Sequence, residues 1–423
     1  MPLHRALRRL GGALFAGSPL MVLLAFSLAL ARPAAGQPAP PSEVASLRQE
    51  IDALRSEYEQ RIAALEAKLA ALSTAAEQRA AMPPPAPPPP APPPVTAAPA
   101  KSGNYFNPAI SLIGNFLAVG GQGSHGDLPN ASLRESEISL QAVVDPYARA
   151  DLFLSFGEEG VEVEEGYVTF TALPAQLLAK VGRMRTSFGK VNTMHLHTLP
   201  WPDEPLPVVN LLGGEEGWIG TGVSLSRLLP VGDTFTELTF EVMRGDSPGL
   251  FQADKTSDLA LNGHYRIFRD LTDASNLDIG LSYGFGPNGT AERADTALAG
   301  LDLTYRWKPL RTGSYRGLIV RGEAYRSERQ QPGGRQDAFG WYLSGEYRLA
   351  KRWSLGARLE AAERAADASL RDTGQALSFT FDLSEFLRWR GELRRRRFAE
   401  DLTTNDFLMQ LQFAVGAHGA HPF

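Results

Sequence analysis

Between Asn104 and Phe423 the chain repeats short runs in which apolar and polar side chains alternate. In the twelfth run Phe339, Trp341, Leu343, Gly345, Tyr347 and Leu349 share one face, and Gly340, Tyr342, Ser344, Glu346 and Arg348 share the other. The ninth sets Leu277, Ile279, Leu281, Tyr283 and Phe285 against Asp278, Gly280, Ser282 and Gly284. The tenth sets Leu301, Leu303, Tyr305 and Trp307 against Asp302, Thr304 and Arg306, and the last places Phe407, Met409, Leu411, Phe413 and Val415 opposite Gln410 and Gln412. A period of two marks strands with one greasy and one wet face. About sixteen such runs occur, an even number, as a single-chain bacterial barrel requires. Tyr and Trp near the apolar ends suit the aromatic girdles at membrane interfaces.

The connectors support the same reading. A membrane barrel has tight turns on one rim and longer loops on the other. If the first strand runs outward, the even connectors are short: around Asp145-Pro146, Pro174, Pro230, Asp270, Pro309, Ala350 and Ser384. The odd ones are generally longer and polar, such as GGQGSHGDLPNAS after the first strand and SERQQPGGRQD after the eleventh, although Gly157 to Gly160 is short. The longest follows the fifth strand, from about Thr186 to Glu216.

The first quarter of the chain is different. Basic residues at His4, Arg5, Arg8 and Arg9, an apolar core from Leu20 to Ala31 and small residues at Ala34-Ala35-Gly36 form a secretory signal peptide over residues 1–36. An uncleaved membrane anchor is the competing reading. Val44, Leu47, Ile51, Leu54, Tyr58, Ile62, Leu65, Leu69, Leu72 and Ala76 trace a coiled-coil seam within 37–82, with one stutter at Tyr58–Ile62. Pro83 to Pro94 begins a proline-rich linker (83–103) in the extended polyproline conformation. The expected architecture is therefore an all-β transmembrane barrel of about 16 antiparallel strands over 104–423, preceded by an N-terminal α-helical coiled coil in the periplasm. A homo-oligomer held through that coiled coil is the expected assembly, with a subunit number that the seam does not fix.

Composition narrows the chemistry. The absence of Cys excludes disulfides, thiol catalysis and a lipidated N-terminal Cys. Beyond Asn104 there are 32 Lys and Arg against 40 Asp and Glu, a net charge of −8. An acidic chain in this compartment has no use for a nucleic-acid patch. The expected surroundings are outer-membrane lipid and lipopolysaccharide.

The long connector is the candidate site. TMHLHTLPWPDEPLPVVNLLGGEEG is too apolar and proline-rich for a surface loop, and Trp201, Leu206, Val208, Val209, Leu211 and Leu212 need a surface to pack on. Folding inward would bury them and narrow a wide lumen, presenting Trp201, Asp203, Glu204, Glu215 and Glu216 at the constriction. An extracellular cap or a subunit contact would bury them equally. Arg183, Arg185 and Lys190 precede the connector, and Arg388, Arg390, Arg394 and Arg396 share one face of the fifteenth strand with Glu392. With Glu162, Glu164, Glu165, Glu215 and Glu216 opposite, they either set a transverse field across an eyelet or pair with one another. Arg394 to Arg397 is expected to include residues at the outer rim, facing lipopolysaccharide. His195 and His197, with Asp203 and Glu204 shortly after, have the donor chemistry for Zn²⁺; on an extended segment both rings point the same way. His418 and His421 are either ligands or part of the C-terminal strand signal.

The function expected from these features is passive diffusion of small hydrophilic solutes or ions across the outer membrane. A metal (zinc)-linked outer-membrane uptake protein and a barrel-anchored structural tether are the alternatives. So is an outer-membrane hydrolase, but His264, Ser224 and Ser282 are linked by no motif, and there is no nucleophile elbow or H-E-x-x-H. No enzymatic activity is expected.

ISLIGNFLAVGG, SEISLQAVVDPYARADLFLSFGEEGVEVEEGYVTF, KVGRMRTSFGKVN, LPWPDEPLPVVNLLGGEEG and the ending GAHGAHPF resemble a proteobacterial outer-membrane porin-like family, often labelled zinc-regulated TonB-dependent outer membrane receptors. The coiled coil followed by KVGRMRTSFGK more distantly resembles the phosphate-selective O/P-type porins, which implies sixteen strands, a trimer and a channel. The receptor label implies a plug domain and a link to zinc; the chain has no room for such a plug and no obvious energy-coupling box.

Overall fold

A computed structural model describes residues 108–121, 130–157, 160–229, 231–232, 234–292 and 294–416. The signal peptide, coiled coil and linker read from the sequence, together with His418 and His421, lie outside the described residues.

Sixteen strands follow in order. They are β1 Ala109–Gly121, β2 Ala131–Asp145, β3 Ala148–Gly157, β4 Gly160–Phe170, β5 Leu177–Arg185, β6 Ile219–Leu228, β7 Phe235–Arg244 and β8 Leu259–Thr272. The second half comprises β9 Ser275–Pro287, β10 Asp295–Trp307, β11 Gly317–Gln331, β12 Gly334–Ala350, β13 Trp353–Arg364, β14 Asp367–Asp382, β15 Leu387–Arg397 and β16 Thr403–Gly416. Each strand pairs with its neighbours in sequence, and β1 pairs antiparallel with β16 through Ser111↔Gly416 to Gly121↔Asp406, closing the sheet into a barrel.

The period of two sorts side chains between the two surfaces. On β9 Leu281, Tyr283 and Phe285 are exposed while Asp278, Ser282 and Gly284 are buried. On β12 Phe339, Leu343, Tyr347 and Leu349 are exposed, and Tyr342 and Ser344 are buried. Register aligns the apolar rows across strands, with Leu343 opposite Leu359 and Leu377 opposite Leu393. The last two are 65% and 62% exposed, which in water would be an aggregation surface and in hydrocarbon is the favourable face. An aromatic cluster marks one interface. Trp353 stacks on Phe381 with centroids 4.0 Å apart, and Phe379 meets both Trp353 and Trp389 beside the short connectors 351–352 and 383–386.

Connector lengths depart from the sequence reading on one rim. SERQQPGGRQD was expected as a long polar loop, yet β11 runs to Gln331 and β12 starts at Gly334, leaving a two-residue turn at Pro332-Gly333. Polar residues there pair across the two strands, Glu328 with Asp337 and Gln330 with Arg335, so polarity reflects strands that extend beyond the apolar belt. Gly333 and Gly334 have φ of 102° and 132°, a backbone that L side chains rarely adopt. The connector between β13 and β14, 365–366, is equally tight. Length therefore sits mainly in 122–130, 186–218 and 245–258.

Replacing Leu343 by Arg on the outward face is expected to lower the unfolding free energy in lipid vesicles by about 2–4 kcal/mol. Leu310→Arg, in the exposed connector after β10, should change it by less than about 0.5 kcal/mol. Equal effects at the two positions would reject the bilayer as the solvent of the outer face.

Candidate functional site

The connector 186–218 has its own local structure. Short 3₁₀ turns at Val191–Thr193 and Leu196–Thr198 lead to the helix α1, Leu206–Leu211. Pro205 and Pro207 fit the helix start, where a missing N–H costs nothing. Gly213 and Gly214, at φ near 100°, turn the chain out of it. Buried Asn192 fastens the two ends together: its Nδ2 donates to the carbonyls of Thr186 and Trp218 (both 2.9 Å), and its Oδ1 accepts from Trp218 N (2.7 Å).

The connector packs on the polar, inward-facing side chains of strands around the whole barrel. Ser187 N donates to Glu241 of β7, Gly189 N to Ser282 of β9, and Lys190 N and Val191 N to Glu323 of β11. Lys190 Nζ meets Asp278 of β9 at 2.5 Å. Farther along, Arg390 of β15 donates to the carbonyl of Leu199 and Gln412 of β16 to that of His197. The first helical N–H, from Leu206, is satisfied by Glu360 of β13 (3.1 Å), and Asn210 donates to Asp372 of β14 (2.9 Å).

Its apolar residues form the main buried hydrophobic cluster. Phe188, Leu199, Trp201, Val208, Leu211, Leu212 and Trp218 join Met243, Leu298, Tyr325 and Tyr342 from the wall. Glycines make the seats. A Cβ at Gly284 of β9 would lie 2.5 Å from Trp218, and one at Gly340 of β12 would lie 3.0 Å from Pro207 and 3.1 Å from Leu211. Inward glycines thus let bulky connector side chains approach the sheet backbone.

Asp203 is the electrostatic hub. Arg358 donates to its Oδ1 (2.7 Å), Arg394 to its Oδ2 (2.6 Å), and Arg396 lies 2.8 Å from the same Oδ2. Burial works against this charge, but Arg358, Arg396 and Arg394 outweigh it and hold the Asp203 carboxyl well below the usual range. The neighbouring Glu204 has the opposite fate. Burial, with Asp203 and Glu215 nearby, pushes its carboxyl up to about 8 against the pull of Arg185 and Arg134.

The two connector histidines lie against β2 and β4. His195 Nδ1 is 2.6 Å from Glu137 Oε2, its Nε2 is 2.8 Å from Glu165 Oε2, and His197 Nδ1 is 3.3 Å from Glu135 Oε1. Burial opposes a charge on His195, yet hydrogen bonds to Glu137, Glu164 and Glu165 raise its imidazole well above the ordinary value. Asp203, expected beside this pair, is engaged elsewhere with Arg358, Arg394 and Arg396, and the backbone carbonyl of Glu204 accepts from Arg396. Carboxylates of β2, fifty-eight and more residues upstream, take their place.

The remaining residues are mostly paired. Arg183 meets Glu162 (3.3 Å) and Arg185 meets Glu164 (2.6 Å). Arg388 binds Asp382 (2.8 Å) near the β14–β15 turn, and Glu215 is exposed on Arg134 (2.9 Å). Glu216 is exposed, and its carbonyl accepts from Arg185. Acid and base therefore neutralise each other in pairs. The Arg394–Arg397 run splits by strand alternation: Arg395 and Arg397 are exposed, whereas Arg394 and Arg396, expected on the face shared with Glu392, turn inward to Asp203. His264 Nδ1 lies 2.8 Å from Ser282 Oγ, but Gly189 N donates to that same oxygen, and Ser224 is on β6. Sequence reasoning missed Glu135, Glu137, Glu323, Arg358 and Glu360. Their signal was a charge at an inward position in mid-strand.

Beside the connector lies a cavity of about 620 Å³, reaching Thr171 and Leu178 at the β4–β5 turn and lined by Arg149, Asp151, Lys180, His195, Arg266 and Asp302 among others.

No protein-family model matches the chain. An uncharacterised protein of Aquifex aeolicus (strain VF5) is 30% identical over 385 residues, covering 75% of this chain and 80% of that one. The chain belongs to the family of that Aquifex protein. Among solved structures, an anion-selective porin from Comamonas acidovorans is similar with a TM-score of 0.50 and 11% identity, covering 73% of this chain and 100% of that one. Pseudomonas putida OprB, in a high-pH structure, gives 0.51 and 10% over 73% of this chain and 94% of its own. The family's fold is thus the porin barrel. Among the described residues the inner wall is packed by the connector 186–218 and not by a separate plug domain.

Asp203→Ala should destabilise the protein by about 3–5 kcal/mol and open the connector to protease, because it strands buried guanidiniums. Unchanged denaturant unfolding and proteolysis would refute the hub. Glu204 gives a pH signature. Its raised value means that its contribution is complete below the ordinary carboxylate value of 4.5 and is lost as pH rises through about 8. Stability should therefore decline across that window, and Glu204→Gln should flatten the decline in denaturant midpoints measured against pH.

Proposed function

We propose that this protein is an outer-membrane channel for passive diffusion of small hydrophilic solutes or ions, narrowed by the inward-folded connector 186–218. The observation carrying this reading is the ring of hydrogen bonds from that connector to inward side chains of β7, β9, β11, β13, β14, β15 and β16. A sixteen-stranded barrel is wide enough for an aqueous lumen, so a segment held across it sets the cross-section. The adjoining cavity is lined by both signs of charge, Arg149, Lys180 and Arg266 with Asp151 and Asp302, as suits polar solutes in water. Trp201, Asp203 and Glu204 are buried inside the narrowing segment and anchor it, and the salt bridges of Arg394 and Lys190 lock the connector in place. The heptads of 37–82 support a homo-oligomer, and the distant resemblance to O/P-type porins supports three subunits, with that region in the periplasm and lipopolysaccharide against the outer rim.

Purified protein in planar bilayers should give stepwise, ion-conducting insertions. Silence from folded barrel would sink the channel reading. Deleting Met194 to Leu212 should raise single-channel conductance at least about twofold. The same conductance with and without this segment would remove its role as the constriction.

A further inference from the structure

We propose that Glu135, Glu137, His195 and His197 form a binding site for a divalent transition-metal ion of the zinc type, fastening the connector to β2. One ligand atom from each residue lies within 4.8 Å of every other, and all four side chains are buried. Strand alternation places Glu135 and Glu137 on the same face of β2, and the two His side chains reach the same spot from the connector. The closest pairs are His195 Nδ1 to Glu137 Oε2 at 2.6 Å and His197 Nδ1 to Glu135 Oε1 at 3.3 Å, with His197 Nδ1 to Glu137 Oε2 at 3.7 Å. Tetrahedral ligands on bonds of 2.0–2.2 Å stand roughly 3.3–3.6 Å apart, so side-chain adjustments of about an ångström complete the site.

A second, independent observation points into this cluster. Glu135 Oε2 and Glu137 Oε1 are buried, in residues 3% and 0% exposed, and have no hydrogen-bond partner among the described residues. Buried carboxylate oxygens left in that state are costly, and a cation between the two glutamates removes the cost. Two imidazoles with two carboxylates suit zinc and its neighbours; calcium and magnesium take oxygen sets of six or more. Behind the ligands, His195 Nε2 lies 2.8 Å from Glu165 Oε2, and Glu165 Oε1 accepts from Arg185 N (2.7 Å). A carboxylate on the far nitrogen fixes the orientation of a metal-bound histidine. His195 and Glu165 also line the 620 Å³ cavity, which provides an entry route. The competing occupant is a proton, but an imidazolium at His195 engages Glu137 Oε2 and Glu165 Oε2 and leaves Glu135 Oε2 and Glu137 Oε1 as they are.

The test uses the full mature chain, refolded in detergent and stripped with chelator, and does not depend on conductance. Zn²⁺ titrated calorimetrically should bind at one ion per chain, and Co²⁺ should give a visible ligand-field band. His195→Ala with His197→Ala should abolish both signals, and Glu165→Gln should weaken binding by about 10- to 100-fold. His418→Ala with His421→Ala should leave them intact. Heat-modifiable migration on gels establishes that each variant is folded, and Glu137→Gln serves if the double His variant is not. Failure of folded wild type to bind overturns the site. So does unchanged binding in a folded His195, His197 or Glu137 variant, or loss of binding on removing only His418 and His421. A silent bilayer recording with intact metal binding would reject the channel and keep the site; the reverse pattern would reject the site alone.

Discussion

Closure of the sheet at β1 and β16 is the constraint from which the rest follows. Hydrocarbon offers no partner to an open strand edge, so the barrel must be complete before any outward side chain can face lipid. Once it is closed, the polar half of every strand points into one shared interior. In this protein the interior also receives an apolar, proline-rich connector, and carboxylates and guanidiniums that water would otherwise solvate become buried. Each then requires a counterpart, and the connector supplies many of them: Asp203 for the arginines of β13 and β15, backbone N–H groups for Glu323 and Glu360.

Two kinds of chemistry hold the connector on different sides of the wall. Toward β13 and β15 the attachment is a charge hub, with one carboxylate among three guanidiniums. Such a hub gives geometric definition more than net stability, because desolvation offsets much of the attraction. Toward β2 and β4 the attachment is two imidazoles among four carboxylates, Glu135, Glu137, Glu164 and Glu165. Between them the apolar cluster around Trp201 and Trp218 rests on glycine seats in β9 and β12. These glycines looked, in the sequence, like members of a wet face.

The barrel was largely legible from the sequence because alternation is a local property: Leu281, Tyr283 and Phe285 against Ser282 and Gly284 announce β9 without reference to any other strand. Sixteen runs could be counted for the same reason. The turn at Pro332-Gly333 was not legible, since a strand that extends past the apolar belt has the composition of a loop. The candidate site was half legible. The apolar excess of 186–218 announced burial, and H-x-H announced donors. Which carboxylates meet them depends on where the connector docks across the lumen, and Asp203, eight residues from His195, is turned to Arg358 while Glu137, fifty-eight away, is in contact. Separation along the chain says little about separation across a barrel.

The connector reaches wall strands on both sides of the β1–β16 junction: β2 through its histidines, β15 and β16 through Leu199 and His197. Those attachments coexist only when the two ends of the sheet have met. Its own ends are already clasped by Asn192. The insert therefore straps the barrel from within across its one join between strands that are not neighbours in sequence, so the seam is held by side chains of the interior as well as by its own ladder.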